Sequence, residues 1–388
     1  MAGMSRSPEA HYKAVCAMFH QRESTTVSVD EAARQSLVLT ADVIATTDSP
    51  TFDNSQMDGY AVPDIGGGEF TVGPTVPAGT DPDVLYPDGL TGRAAPVMTG
   101  AKLPRDSRAV VPVETCTPSE FVDEGQSVRT PATETDKFIR FTGSDIRCGD
   151  VIVAAGTPVT PVVVGALASQ SIADVQVYRP ARLLIISGGA EIGGTGAAQI
   201  HDANTPMIKA LAEQYGIDVV GHVATNDDPD TLRGHVRRVA ADTSPDVIVT
   251  SGGISHGKFE VVRQVFDNGW YGHVTQQPGG PQGLSTFDGI PVISLPGNPV
   301  STLVSFRLYV APILGVAPEP MRVPLGEDLT GISGKDQFVR GRIVNGRAVS
   351  VGGRSSHLLA QSATATCLIR IPSDARLSAG QEALVYPL

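Results

Sequence analysis

Beyond Pro180 the chain repeats one pattern: a short apolar run, a turn of small residues, then a helix signal. ARLLIIS is apolar without alternation, as a strand covered on both faces must be. It ends in SGGAEIGGTG. NTPMIKALAEQYG then reads as a helix capped by Asn204 or Thr205, with Pro206 early and Gly216 as its stop. IDVVGHVAT predicts a second strand, and NDDPDTLRGHVRRVAAD a second helix capped by Asp228 ahead of Pro229. PDVIVT predicts a third strand, ending in SGGISHG, and KFEVVRQVFDNG a third helix. PVISL is a fourth strand, followed by PGNPVS and a helix reaching about Leu314. Such alternation requires right-handed crossovers and a mostly parallel sheet with helices on both faces.

Sheets of that kind bind ligands beyond the carboxyl ends of their strands. Three strand ends here carry small-residue loops feeding helices: Ser187-Gly188-Gly189, Ser251-Gly252-Gly253, and Pro296-Gly297-Asn298 running on into Pro299 and Ser301. Glycine lets a ligand approach the backbone closely. A helix start adds unpaired N–H groups and a partial positive charge. Each loop alone could be a tight turn, but three on one rim point to a phosphate-type pocket.

At 388 residues the chain needs several cores, and five segments are expected. Residues 1–46 carry two helical patterns, around His11–Arg22 and Val29–Ile44. Residues 47–145 are turn-rich with short strands, a small β-rich domain. Residues 146–179 form a linking segment, in which Val151–Ala173 is uncharged but broken by Gly156, Pro158, Pro161 and Gly165. It reads as strand, turn and helix, with Thr160 as cap and Pro161 at the first helical position, and not as a membrane span. Residues 180–316 are the α/β domain. In 317–388, FVRGRIVNGRAVSVGG alternates around an Asn-Gly turn, so a hairpin within a small barrel or sheet is expected.

Charge and cysteine content exclude several functions. The net charge of -12 repels phosphate backbones, and the single Trp offers no stacking surface, so nucleic acid is not an expected partner. Small anions remain open, because local backbone amides can hold them. The four cysteines, Cys16, Cys116, Cys148 and Cys367, form no C-x-x-C pair, which argues against zinc and redox sites. With no apolar core in MAGMSRSPEAHYKAV, a reducing cytoplasm is the expected location.

The most distinctive segment is FDNSQMDGYAV, Phe52 to Val62, where Asp53, Asn54, Ser55 and Asp58 cluster beside Met57 and Tyr60. Local chemistry alone would make it an Asx-rich turn at a strand start. It also resembles a signature of the bacterial MoeA proteins and of the homologous domain of animal gephyrin and its plant counterpart. MTGAKLP (Met98–Pro104), FTGSDI (Phe141–Ile146), TPVVVGALASQSI, TSGGISHG and LPGNPVS resemble further stretches of that family, in the family's order.

The resemblance implies a multidomain α/β protein: a central MogA-like doubly wound domain, small β-rich domains, and an elongated homodimer. It implies a molybdopterin molybdotransferase, which inserts molybdate into adenylated molybdopterin, releases AMP and uses a divalent cation, usually Mg²⁺. The active site would lie between the α/β domain of one protomer and the second domain of the other. Asp58, Glu191 and Asp228 are the implied catalytic residues, with Glu191 and Asp228 also the metal ligands. Thr99, Gly100, Asp145, Asp202, Asn204 and Asp227 stand where the family carries functional groups, beside the three glycine loops. For Asp202 and Asp228 helix capping is an equally direct reading, compatible with ligand binding.

This chain departs from the family pattern in ways that matter. Ala190 replaces an acidic residue, Glu260 an aspartate and Arg263 a lysine. The K-P-G-K-P motif reads QPGGP, so Pro278 and Gly279 persist while Gln277 and Gly280 replace two lysines associated with molybdate or substrate phosphates. Each lost ammonium removes a charge-assisted contact of roughly 1.5–3 kcal/mol if desolvated, together about 10²–10⁴ in affinity if additive. Lys335 stands for an arginine and brings charge without the bidentate fork. Ser356 keeps the position of a molybdate-contacting serine. His256 and His357 flank these motifs. These losses leave an alternative to the enzyme: a dimeric scaffold of the same fold that binds a protein partner.

Overall fold

The computed structural model describes residues 5–19, 23–188, 200–225, 228–254 and 261–388. It divides into two compact units, one of Met1–Thr40, Pro158–Thr160 and Gln176–Leu388, the other of Ala41–Thr157 and Pro161–Val175. Among the described residues no helix is long and apolar enough to cross a membrane.

Helices α1 (Pro8–Cys16) and α2 (Val29–Arg34) open the first unit. Both are shorter than the two patterns expected up to Arg22 and Ile44. Ser7 and Ser28 cap them, and Ser24–Ser28 is a strand, because its alternating exposure suits an extended edge better than a helix face. In α1, His11 is fully buried between the rings of Trp270 and Tyr309, with centroids at 5.3 and 4.7 Å.

The second unit is built on β1 (Gly59–Val62), paired antiparallel with β2 (Ala95–Val97) on one side and β3 (Ala109–Pro112) on the other. All four residues of β1 are buried, and its two faces feed separate clusters, around Tyr86 and Leu90 and around Tyr60 and Val128. Gly59 is dictated by this packing, since a Cβ there would lie 2.2 Å from the Val111 carbonyl oxygen. Helix α3 (Pro161–Ser169) belongs to the same unit and begins at Pro161 as expected.

The α/β region of the first unit runs β4 (Arg182–Ser187), α4 (Asn204–Gln214), β5 (Asp218–Ala224), α5 (Pro229–Thr243), β6 (Val247–Ser251), α6 (Val261–Val265), β7 (Trp270–His273), β8 (Pro281–Phe287), β9 (Ile290–Leu295) and α7 (Pro299–Ser305). A π-helical turn, Phe306–Val310, and α8 (Ala311–Leu314) prolong the last helix. The strand order is β5-β4-β6-β9-β8-β7, with the first four strands parallel. Helices α4, α7 and α8 pack on one face with Leu183, Ile185 and Ile293, and α5 and α6 on the other with Leu184, Ile186 and Ile248. The unbroken apolar runs follow from that double covering. Strands β7 and β8, an antiparallel extension, are additional to the four expected, because glycine and proline throughout WYGHVTQQPGGPQGLSTF hide their period.

The chain closes with β10 (Met321–Pro324), β11 (Asp336–Val344), β12 (Arg347–Ser350), β13 (Cys367–Ile371) and β14 (Glu382–Pro387) in one sheet. β11 and β12 form the expected hairpin, with Asn345 and Gly346 both at positive φ (49° and 74°). β11 also receives the two-residue strand Gln276–Gln277 in parallel, pairing Gln277 with Gln337.

Neither ring nitrogen of His11 has a hydrogen-bond partner among the described residues. Burial, reinforced by the Arg6 charge, pushes its imidazole down to about 3. The unfolded chain takes up that proton near pH ~6.5, so the stability is fully present above that value. It is lost as pH falls from there towards 3, at about 1.4 kcal/mol per pH unit. His11→Phe keeps the stacking and removes the proton. Its urea midpoint is expected to decline less steeply than the wild type's between pH 7 and 4; an unchanged slope would contradict the assignment.

Candidate functional site

The register of the central strands places Ser187 beside Ser251 and Ser251 beside Leu295. All three strands therefore end at one level, and their glycine turns emerge together. Gly188, Gly252 and Gly253 have φ of 128°, 94° and 68°, a region side chains avoid. A Cβ on Gly297 would sit 3.2 Å from Gly252 Cα, so two of these turns meet backbone to backbone. Gly189 lies outside the described residues.

Polar side chains behind the rim hold it in shape. Asp202 Oδ1 accepts the N–H groups of Asn204 and Thr205, each at 3.0 Å. The cap expected from Asn204 or Thr205 is thus supplied by Asp202. Burial raises its pKa, but the bonds from Thr205 and Asn204 prevail and hold the carboxyl below its usual range. Asn204 is left to bridge: its Nδ2 donates to the Gly297 carbonyl at 2.7 Å, and its buried Oδ1 has no partner among the described residues. Ser187 Oγ is 2.9 Å from His222 Nε2 and 3.4 Å from Asp202 Oδ2. Ser251 Oγ is 3.2 Å from Thr302 Oγ1, which donates to the Pro296 carbonyl at 2.7 Å.

Above the rim is a cleft of about 1130 Å³. Its floor includes Gly188, Asn204, Ser251–Gly253, Pro296–Pro299 and Ser301. One wall is the loop Gln276–Pro281, which contains Pro278 and Gly279. The loop is braced from below: Gln276 Nε2 donates to Pro278 O at 3.0 Å, Gln282 Nε2 to Gly279 O at 2.9 Å, and the Tyr309 hydroxyl to Gln276 Oε1. The C-terminal sheet region adds Lys335, Arg354, Ser355 and Ser356 to the lining. The Val300 N–H donates to Ser356 O at 3.3 Å, tying that segment to the start of α7.

Among the described residues no Asp or Glu lines the cleft, in a chain whose net charge is -12. Lys335 and Arg354 are the described Lys and Arg side chains that line it, and His201 and His273 line it too. Arg354, His201 and His273 escape a reading by motif. Arg354 could have been found from its place two residues before Ser356, while the histidines enter by folding alone.

The second unit brings two other expected residues together. The exposed Asp58 accepts from Thr99 N at 2.6 Å and Thr99 Oγ1 at 2.7 Å, and the Thr99 bonds keep its carboxyl below the usual range. Gly100 follows at φ 81°, its N–H donating to Ser55 O at 2.8 Å. Asp145 does not join this pair; its carboxylate accepts from Ser49 Oγ at 3.3 Å.

Asp228 is not among the residues lining the cleft; it caps α5, accepting the N–H of Asp230 at 3.2 Å and the Thr231 hydroxyl. Glu191 and Asp227 lie outside the described residues, as do Ala190, His256 and Glu260. Among the described residues no three His, Cys, Asp or Glu side chains gather as a metal site would require. The described residues therefore do not by themselves complete the cation site expected at Glu191 and Asp228.

Three family models match in sequence along the chain. The MoeA N-terminal region (domain I and II) covers residues 6–171, the probable molybdopterin binding domain 184–315, and the MoeA C-terminal region (domain IV) 322–388. A Mycobacterium tuberculosis relative named molybdopterin molybdenumtransferase 2 is 36% identical, over 99% of this chain and all of its own length. A Staphylococcus aureus molybdopterin molybdenumtransferase is 27% identical over 92% of this chain and 90% of its own. Among solved structures, a molybdopterin biosynthesis moeA protein from Pyrococcus horikoshii superposes with a TM-score of 0.83 at 23% identity, covering 99% of this chain and all of that one. That last likeness concerns the fold.

The loop wall offers a paired test of the geometry. Gly279 has φ of 89°, and a Cβ there would meet Ser305 Oγ at 2.9 Å and Gln276 Nε2 at 3.0 Å. A Cβ on Gly280 has its nearest neighbour at 3.4 Å, ordinary contact. Gly279→Ala is expected to cost about 1–3 kcal/mol and lower the melting temperature, while Gly280→Ala leaves it nearly unchanged. Equal melting curves would show that the loop is not held as described.

Proposed function

The chain belongs to the MoeA family, and we propose that it is a molybdopterin molybdenumtransferase that takes adenylated molybdopterin and molybdate, releases AMP, and leaves molybdenum on the pterin dithiolene. Its role is in molybdenum-cofactor biosynthesis, and it is an enzyme. One observation carries the reading: within the molybdopterin-binding region, three glycine turns floor a cleft that has Lys335 and Arg354 in its wall and, among the described residues, no lining carboxylate. Such a cleft suits a ligand that is anionic at the phosphates and at the oxyanion.

The residues divide the work by position. Gly188, Gly252, Gly253 and Gly297 let phosphate or pterin approach the backbone. Asn204, through an Oδ1 that no described residue engages, can accept a pterin N–H. Ser301 adds a hydroxyl beside the Pro299 turn, while Lys335 and Ser356 face the molybdate end. Asp202 acts from behind, by fixing the start of α4.

In this reading a divalent cation, Mg²⁺, belongs with Glu191 and Asp228, and Asp227 stands beside them in sequence. A carboxylate offers about four lone-pair sites, so helix capping by Asp228 and ligation are compatible. No step here is routed through that ion. The protein works as a homodimer, and Asp58 of the partner subunit, held by its Thr99 with Gly100 next in sequence, completes the cleft. The support for this is that Asp58 is ionised, exposed and oriented by two bonds, as a group meant for a ligand would be.

The test is AMP release from adenylated molybdopterin with molybdate and Mg²⁺, read together with molybdenum on the product. Wild type is expected to turn over, and Asp58→Asn to lose about 10²-fold or more in kcat. Mixing Asp58→Asn with an inactive Glu191→Gln protomer is expected to restore part of the activity, because a mixed dimer holds one intact site. Absence of AMP release by wild type would overturn the function. Turnover in Asp58→Asn, or no recovery on mixing, would remove Asp58 and its partner-subunit role.

A further inference from the structure

The loop Gln277–Gly280 contains no cation, and the positive charge beside it in the cleft comes from the C-terminal segments, at Lys335 and Arg354. The two sides are connected. Gln277 Oε1 accepts from Gln337 Nε2 at 3.0 Å, and Gln337 Oε1 accepts from Arg354 Nη1 at 3.2 Å. Gln337 is 4% exposed and sits in β11 directly beside Gln277. Its amide therefore fixes both partners, with little freedom to turn elsewhere. Arg354 Nη1 also donates to Thr330 O at 2.9 Å.

The segment carrying Arg354 is anchored on both sides. Gly353 N donates to Gln361 Oε1 at 2.8 Å, Gly353 O accepts from the Arg340 guanidinium, and Ser356 O accepts from Val300 N at 3.3 Å. With Nη1 committed to these anchors, the fork still offers Nη2 and Nε to a ligand. No carboxylate among the described residues pairs with Arg354, so its charge is not neutralised there. Lys335, in the same wall, is an exposed point charge on a flexible stem.

We propose that Arg354 is the oxyanion-binding residue of this cleft, a guanidinium oriented through Gln337 that takes the place of the charge missing from Gln277 and Gly280. Its target is a tetrahedral dianion, which a planar fork engages through two parallel N–H bonds. Gln277 then serves as a positioning residue: it holds Gln337, and Gln337 aims the fork. The inference rests on the transferase reading for the identity of the anion as molybdate, but its geometry concerns the cleft alone.

Two measurements separate the inference from that reading. Equilibrium dialysis of sodium molybdate against the full-length protein is expected to show binding that Arg354→Gln weakens about ten- to a hundredfold. Arg354→Lys should recover part of it, and Gln277→Lys with Gly280→Lys in the Arg354→Gln background most of it. Lys335→Gln should weaken binding less than Arg354→Gln. In turnover, Arg354→Gln should raise KM for molybdate while KM for adenylated molybdopterin stays within twofold. Arg354 is exposed, so these variants are expected to fold, and matching melting curves verify it. Equal molybdate binding by wild type and Arg354→Gln overturns the proposal, as does a larger loss in Lys335→Gln or no molybdate binding by wild type. Failure of AMP release with molybdate binding intact and sensitive to Arg354 overturns the transferase reading and leaves this one standing.

Discussion

The side-by-side register of β4, β6 and β9 is the constraint on which the cleft depends. Parallel strands that end level bring Gly188, Gly252 and Gly297 within van der Waals reach of one another. Any side chain at these turns would push the backbones apart or occupy the space a ligand needs. The register in turn rests on the apolar runs, because both faces of each strand are covered and a slip would misplace Leu183 to Ile186 against two different helical layers. Core packing and ligand access are thus set by the same few residues.

Charge is arranged with comparable economy. The chain is strongly acidic, yet no described carboxylate lines the cleft. Asp202 and Asp228 stand at the starts of α4 and α5 and direct their oxygens at backbone N–H groups. A carboxylate there favours the helix dipole and is withdrawn from the cleft. The cations left in the wall act on a ligand without near competition. The polar chain Gln277–Gln337–Arg354 links segments that are 60 and more residues apart in sequence and holds one of these cations in place.

Much of this was legible in the residues. The strand and helix order from Pro180 to Leu314, the level glycine turns, and the Asn345-Gly346 hairpin follow from period, caps and turn chemistry. Other parts were not. Strands β7 and β8, at one end of the sheet, lie in a stretch crowded with glycine and proline, which hides the alternation that reveals a strand. The helices at the N-terminus end early, since an apolar face shows only that a helix could form and not where its packing stops. Among the candidate caps of α4, Asp202 prevailed over Asn204 and Thr205, because a carboxylate two residues upstream reaches two amides at once.

The sequence by itself determined the family, the α/β order, the loops that a phosphate-bearing ligand would approach, and the loss of lysines at Gln277 and Gly280. These are local matters of residue type and spacing. The tertiary structure decided which groups share a cleft. It placed Arg354, His201 and His273 beside the glycine rim and joined Asp58 to Thr99 across 41 positions. Such partnerships come from pairing between strands distant in the chain. No local pattern records them, because the energy that enforces them is shared by the whole buried sheet.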